Sequence, residues 1–214
     1  MTRIGLYGGT FDPVHIGHTQ LAEAAICEAG LDRVLMVPAV VPPHKSERTV
    51  TPFDHRVEMV RLALVDHPGI ELSLIESELP TPSYTIDTVR LLQRLLPTTT
   101  ELHFIIGIDA FVEITSWKSY GELLSRVSLL VAMRQGLCPQ LLEKVRDELS
   151  YSKVAKRWVH SGGRKDIFFL SSPIADISSS TIRKQLLSGA FQVEGIPNQV
   201  MQYIQANNLY LSCK

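Results

Sequence analysis

Short apolar runs alternate with helix-period segments along nearly the whole chain, and that alternation leaves few architectures open. Arg3–Tyr7 reads as a first strand and Ile16–Ala29 as a helix closed by Gly30 at the C′ position. Arg33–Val37 (RVLMV) is a second strand, followed by a proline-rich loop over 38–50. Thr51, Pro52 and Asp54 then open a helix as cap, first helical residue and first-turn acid. Ile70–Ile75 reads as a third strand, and Ile86–Leu96 as a helix stopped by Pro97. Leu102–Ile108 (LHFIIGI) is almost wholly apolar, as a central strand covered on both faces must be. Ser128–Met133 and Ile167–Leu170 are two more such runs, and helices are expected over Pro139–Leu149, Ser179–Ser188 and Pro197–Asn207. The pattern predicts an α/β fold, an open and mostly parallel sheet with helices on both faces. In such sheets ligands sit beyond the carboxyl ends of the strands.

A length of 214 residues suits one large domain or a domain with a small appendage. The expected division is a single domain over 1–214, with 175–214 as a small C-terminal helical part. Apolar residues at 45% allow a sizeable core. The 21 basic and 22 acidic residues leave a formal net charge of −1, so nothing points to a nucleic-acid surface and any handling of phosphate must be local. Cys27, Cys138 and Cys213 are far apart and form no CxxC pair, which fits a reducing cytoplasm, with Cys27 and Cys138 expected as buried, inert thiols. The opening MTRIGLYGGT carries too short an apolar stretch for a signal peptide or a membrane span.

The chemistry concentrates in YGGTFDPVHIGH, Tyr7 to His18, directly after the first strand. Gly8 and Gly9 remove side chains at the turn, so backbone N–H groups can approach an anion. Thr10 adds a hydroxyl. His15 and His18, three apart at a helix start, share a face and can both point toward the turn. The helix N-terminus adds a potential that favours phosphate. An HxxH pair could instead bind a metal, but no further His or Cys cluster lies nearby in sequence to complete a tetrahedral set, so no protein-bound metal is expected. Neither GxxxxGKS nor GxGxxG occurs. Far along the chain, Ile177 to Arg183 (ISSSTIR) places serine hydroxyls and free N–H groups at a helix start, with Arg183 about one turn in. Such a turn can hold the β- and γ-phosphates of a triphosphate and stabilise departing pyrophosphate.

GGTFDPVHIGH resembles the signature of nucleotidyltransferases that carry an (H/T)xGH motif on a Rossmann-like sheet, the HIGH-type nucleotidyltransferase fold. His15-Ile16-Gly17-His18 also matches the HIGH element of class I aminoacyl-tRNA synthetases, but those enzymes are longer and carry a KMSKS loop. Ile177 to Arg183 looks like the ISSTxIR motif of the small transferases. Pro42-Pro43-His44-Lys45, Asp54-His55-Arg56, Ser83-Tyr84-Thr85-Ile86-Asp87-Thr88, Gly107-Ile108-Asp109 with Trp117, and Val131 to Arg134 follow in order. Together they resemble the bacterial nicotinate-nucleotide adenylyltransferase family nearly end to end.

The resemblance implies transfer of the AMP part of ATP to nicotinate mononucleotide, giving deamido-NAD and pyrophosphate. Partners would be ATP and the mononucleotide, with no nucleic acid or membrane; homo-oligomerisation stays open. Magnesium would enter on the ATP phosphates. His15, His18 and Arg183 are the expected catalytic residues, and Gly8, Gly9, Thr10, Phe11, Gly107, Asp109, Ser179 and Ser180 complete the ATP site. Lys45, Ser83, Tyr84, Thr85, Asp109, Trp117 and Arg134 would contact the mononucleotide. Tyr84 and Thr85 also make independent sense, because N–H groups at a helix start suit the carboxylate of a nicotinate ring. Trp117 offers a flat face for the pyridine ring. Lys45 and Arg134 would meet the mononucleotide phosphate, and Arg56 is expected as a surface charge on its helix. Family members commonly read Arg-Pro-Gly where this chain has Arg134-Gln135-Gly136, which keeps the charge and loosens the loop. Two other readings stay open: a related transferase acting on nicotinamide mononucleotide, phosphopantetheine or phosphocholine, and a regulator that binds nucleotide without catalysis.

Overall fold

A computed structural model describes residues 1–42, 50–133 and 138–210. Its elements in chain order are β1 (Thr2–Gly9), α1 (Ile16–Ala29), β2 (Arg33–Pro38), α2 (Phe53–Ala63), β3 (Ile70–Leu72), α3 (Thr85–Leu95), β4 (Thr100–Gly107) and α4 (Ile108–Phe111). They continue with α5 (Tyr120–Arg126), β5 (Ser128–Ala132), α6 (Pro139–Glu148), β6 (Ser152–Val154), β7 (Arg157–Val159), β8 (Ile167–Leu170), α7 (Ser179–Leu187) and α8 (Asn198–Ala206). One sheet holds all the strands in the order β3-β2-β1-β4-β5-β8-β7-β6. The pairings from β3 through to β8 are parallel, and β7 and β6 close the far edge as an antiparallel ribbon. The α/β reading of the sequence therefore stands.

Period-two alternation sends each central strand's side chains to two cores. Ile4, Leu6, Leu35, Val37, Phe104, Ile106, Leu129 and Val131 meet Ile86, Val89 and Leu92 of α3, with Leu123 and Leu124 of α5. Tyr7, Val34, Met36, Ile105, Leu130 and Ala132 meet α1 and α2 on the opposite face, where Ile182 of α7 and Met201 and Ile204 of α8 also pack. Both faces are covered, which is why the middle stretches of these strands are almost wholly apolar. α1 ends as read, with Gly30 in the left-handed region at φ 61°.

Chain order reverses between β1 and β4. Their carboxyl ends, Gly9 and Gly107, therefore flank a crevice that no crossover helix fills. Among the described residues, no helix is long and apolar enough to cross a membrane.

Several expectations need correction. β3 stops at Leu72, and Ile75–Glu78 form a 3₁₀ turn instead of prolonging the strand. Ile108 opens α4 rather than closing β4. Pro52 is the N-cap of α2, not its first helical residue, and Thr51 lies outside the helix. The β6–β7 hairpin was not foreseen, because three-residue strands with Trp158 as their one buried side chain are too short to show a period. Cys27 and Cys138 are exposed, since α1 turns its 27 position and the start of α6 turns its 138 position to solvent. Arg56 is the largest change: it is buried, with 1% of its surface accessible.

Candidate active site

The turn from β1 into α1 is built around Phe11. Its backbone lies in the left-handed region at φ 50°, which costs a non-glycine residue about 1–2 kcal/mol. Burial of its ring, 2% exposed, offsets that by about 1.5–3 kcal/mol. The ring meets Tyr7 and His18 edge-on, with centroids 5.6 and 5.0 Å away. A side chain on Gly9 would strike this ring at 2.8 Å, so the space Gly9 frees is taken by Phe11. A side chain on Gly17 would press on the His15 ring at 3.1 Å and on the Ala175 carbonyl at 3.2 Å.

His15 is the N-cap of α1 and is buried, 6% exposed. Its backbone N–H donates to His18 Nδ1 at 3.1 Å, and the two rings stack with centroids 3.7 Å apart. An Nδ1 that accepts a hydrogen bond carries no proton, so the neutral His18 ring has its N–H at Nε2. The N–H of Ile16 is taken by the Gly195 carbonyl at 2.8 Å, which ties the start of α1 to the C-terminal part of the chain.

The Ile177-to-Arg183 motif folds against this turn. Ser178 caps α7, its hydroxyl accepting from the Thr181 N–H at 3.2 Å. Ser179 donates its hydroxyl to the Pro13 carbonyl at 2.9 Å. Arg183 Nη1 donates to the Asp12 carbonyl at 2.6 Å and lies 3.9 Å from the Asp12 carboxylate, with 23% of its side chain exposed. Asp12 is held from another side by the Tyr210 hydroxyl at 2.6 Å. Burial, and then the Asp12 charge, push the Tyr210 hydroxyl well above the usual phenol range.

The result is a cleft of about 280 Å³ at the β1/β4 crossing. His15, Gly17, His18, Gly107, Asp109, Ser178, Ser179, Ser180 and Arg183 line it, with Tyr7 and Ile108 at the strand ends. Two histidines, a cluster of hydroxyls and N–H groups, and one guanidinium thus share one cleft. Gly8 and Gly9 end β1, and Thr10 and Phe11 begin the turn that carries His15 and His18; none of these four is among the residues that line the cleft, and the Thr10 carbonyl accepts from Arg56 at 2.9 Å.

Of the residues expected to meet a second substrate, Asp109 lines the cleft, while Tyr84 and Trp117 pack against the core on the α3 face of the sheet. Tyr84 is the N-cap of α3, with its carbonyl accepting from Asp87 and Thr88, so the amides of Thr85 and Ile86 precede the helical ladder. Lys118 Nζ lies 4.3 Å from the Tyr84 ring centre. Ser83 is buried, and its hydroxyl donates to Glu76 at 2.5 Å. Trp117 ends the 3₁₀ turn Ile114–Ser116 and packs edge-on to Phe104 of β4 at 5.9 Å. Lys45 and Arg134, with Gln135 and Gly136, lie outside the described residues. The sequence reading missed Arg56, Asp12 and Tyr210. Arg56 was visible only as a charge within DHR, Asp12 stood inside the Tyr7-to-His18 motif without a role assigned to it, and Tyr210 carried no signal beyond its residue type.

Among the described residues no group of three or more His, Cys, Asp or Glu side chains converges as a metal site. Asp109 is the carboxylate on the cleft wall. One hard oxygen donor beside open phosphate space fits a magnesium ion held mainly by substrate phosphates.

Comparison with known proteins agrees with this geometry. The family model described as cytidylyltransferase-like matches residues 6–185. A relative from Pelobacter propionicus named "Probable nicotinate-nucleotide adenylyltransferase" is 39% identical over 99% of both chains. One of the same name from Carboxydothermus hydrogenoformans is 39% identical over 97% of this chain and 98% of its own. Among solved structures, a Plasmodium falciparum nicotinic acid mononucleotide adenylyltransferase complexed with NaAD superposes with a TM-score of 0.74 at 20% identity, covering 98% of each chain, and so shares the fold. The chain belongs to the nicotinate-nucleotide adenylyltransferase family of cytidylyltransferase-like proteins.

Proposed function

We propose that this protein transfers the adenylyl group of ATP to nicotinate mononucleotide, releasing pyrophosphate. The observation that carries the reading is the meeting of two turns at the β1/β4 crossing, one bearing His15 and His18 and the other Ser179, Ser180 and Arg183. The names of the relatives supply the acceptor.

A phosphate oxygen of the mononucleotide attacks the α-phosphorus of ATP. That P–O bond forms as the bond from the α-phosphorus to the bridging oxygen breaks, and pyrophosphate leaves with the electron pair. The nucleophile is already anionic near neutral pH, so no strong base is needed, and catalysis rests on in-line placement and charge neutralisation. His18 offers its Nε2–H, and His15 stacks on it and orients it. Ser180 and Arg183 meet the β- and γ-phosphates, while Asp109 and Gly107 take the nucleoside side. Magnesium bound to the triphosphate would offset charge on the leaving group. At the other end, the amides that open α3 receive the pyridine carboxylate, and Trp117 receives the ring.

The test is pyrophosphate release with ATP and a panel of acceptors. Nicotinate mononucleotide is expected to give the highest kcat/KM, ahead of nicotinamide mononucleotide by about tenfold or more, because the α3 amides favour a carboxylate over a carboxamide. Equal values would remove the acid reading. Preference for phosphopantetheine or phosphocholine would replace the acceptor, and ATP binding without turnover on any acceptor would favour a regulator.

A further inference from the structure

Arg56 and Glu76 are two buried charged side chains that the proposed chemistry does not use. Arg56, on α2, is 1% exposed, and Glu76, in the turn after β3, is 8% exposed. Two charges that far from water persist only when every donor and acceptor is met. Arg56 donates through Nε to the Thr51 carbonyl at 2.9 Å, through Nη1 to the Thr10 carbonyl at 2.9 Å, and through Nη2 to the Val40 carbonyl at 3.1 Å. Glu76 accepts from the Ser83 hydroxyl at 2.5 Å, from the Thr88 hydroxyl at 3.3 Å, and from the backbone N–H of Val40. Burial raises the Glu76 carboxyl above its ordinary range against these donors and the Arg56 charge.

Val40 is the link, with its carbonyl held by the arginine and its amide by the glutamate. A continuous polar bridge therefore runs from Thr10, in the turn that carries His15 and His18, through Arg56, the Val40 peptide and Glu76, to Ser83 and Thr88 around the start of α3. Neither Arg56 nor Glu76 lines the cleft. What they join are the two places where the two substrates are proposed to sit.

We propose that Arg56 and Glu76 are positioning residues that set the separation between the triphosphate turn and the α3 N-terminus through the shared Val40 peptide. The proposal rests on the acceptor reading given above. Backbone displacement of about 1 Å away from the chemistry can cost on the order of a hundredfold in rate, so a rigid tie between two substrate sites has a direct catalytic consequence.

The experiment compares wild type, Glu76→Gln, Arg56→Lys and the milder Thr88→Val. Steady-state kcat and KM for each substrate are read with calorimetric ATP affinity in the absence of acceptor and with thermal melting. Glu76→Gln keeps the shape but presents an amide N–H₂ to one of three donors, which loosens the α3 end alone. Its kcat/KM for the acceptor is expected to fall roughly ten- to a hundredfold, with ATP affinity within about twofold of wild type. Arg56→Lys loses the fork that grips Thr10 and Val40 together, so ATP affinity and acceptor kcat/KM should both fall. Thr88→Val should shift acceptor KM in the Glu76→Gln direction by less, and it decides the matter if Glu76→Gln does not fold. Lower melting temperatures with unchanged kinetic ratios in the folded variants would reduce the bridge to a stability element and overturn the proposal. Each ratio is taken on whichever acceptor the wild type uses. A wrong acceptor therefore undoes the functional reading and leaves the bridge to be judged by its ratios. If no acceptor is used, the ATP affinity of Arg56→Lys decides, and a value equal to wild type rejects the bridge.

Discussion

Arg183 donates from Nη1 to the main-chain carbonyl of Asp12 at 2.6 Å, across 171 positions of sequence. This bond, with that from Ser179 to Pro13, locks α7 onto the turn that carries the two histidines. One guanidinium thus both anchors the turn and faces the cleft. Lysine would keep the charge but not the planar fork. Arg183→Lys is expected to lower kcat by roughly ten- to a hundredfold with a folded protein in circular dichroism. Turnover equal to wild type would show that the fork is not used.

His18→Ala removes the ring whose Nδ1 accepts the His15 amide and whose neighbour is stacked at 3.7 Å. A loss on the order of a hundredfold or more in kcat is expected, comparable to deleting one donor from an oxyanion hole. A purified variant with wild-type kcat would exclude the role given to His18.

Tyr210→Phe leaves the Asp12 carboxylate, 4% exposed, without the hydroxyl that donates to it at 2.6 Å. An acceptor stranded in this way costs about 1–3 kcal/mol, and denaturant unfolding should show a loss in that range. An unchanged midpoint would mean that water reaches Asp12 as readily as the hydroxyl does.

His103 on β4 is 4% exposed, and neither ring nitrogen has a hydrogen-bond partner among the described residues. Burial and then the Arg3 charge hold its pKa below the ordinary 6.5. The unfolded chain therefore takes up this proton first as pH falls. The group's contribution is complete above pH 6.5 and is lost as pH drops through the folded value. His103→Leu should be more stable than wild type by about 1 kcal/mol near neutrality, because no polar atom is left unmet. The gap should widen in unfolding titrations run from about pH 7.5 to 5.5. A constant gap would place His103 outside the acid response.

Much of the fold was legible because its signals are local. The alternation of apolar strands with helix-period segments, Gly30 as a left-handed stop, and the histidine pair at a helix start all depend on neighbours within a few positions. The motifs Tyr7 to His18 and Ile177 to Arg183 named the groups that could handle phosphate. What those motifs could not state is that side chains of the second bond to main-chain carbonyls of the first, because nothing within one turn of Arg183 encodes Asp12. Arg56 looked like any helix charge. Only when α2 covers the sheet next to the β1 turn are three carbonyls brought around it. Gly9 reads as room for an anion, yet its space belongs to the Phe11 ring. Sequence alone determined the longer strands and helices, their order and the chemical inventory, since each follows from backbone preference and side-chain period; the short α4, α5, β6 and β7 show too little period to be read that way. The tertiary structure decided which groups face the cleft, which are spent in holding it and which are buried, since long-range partners appear only once two covered faces of a sheet bring distant turns to the same strand ends.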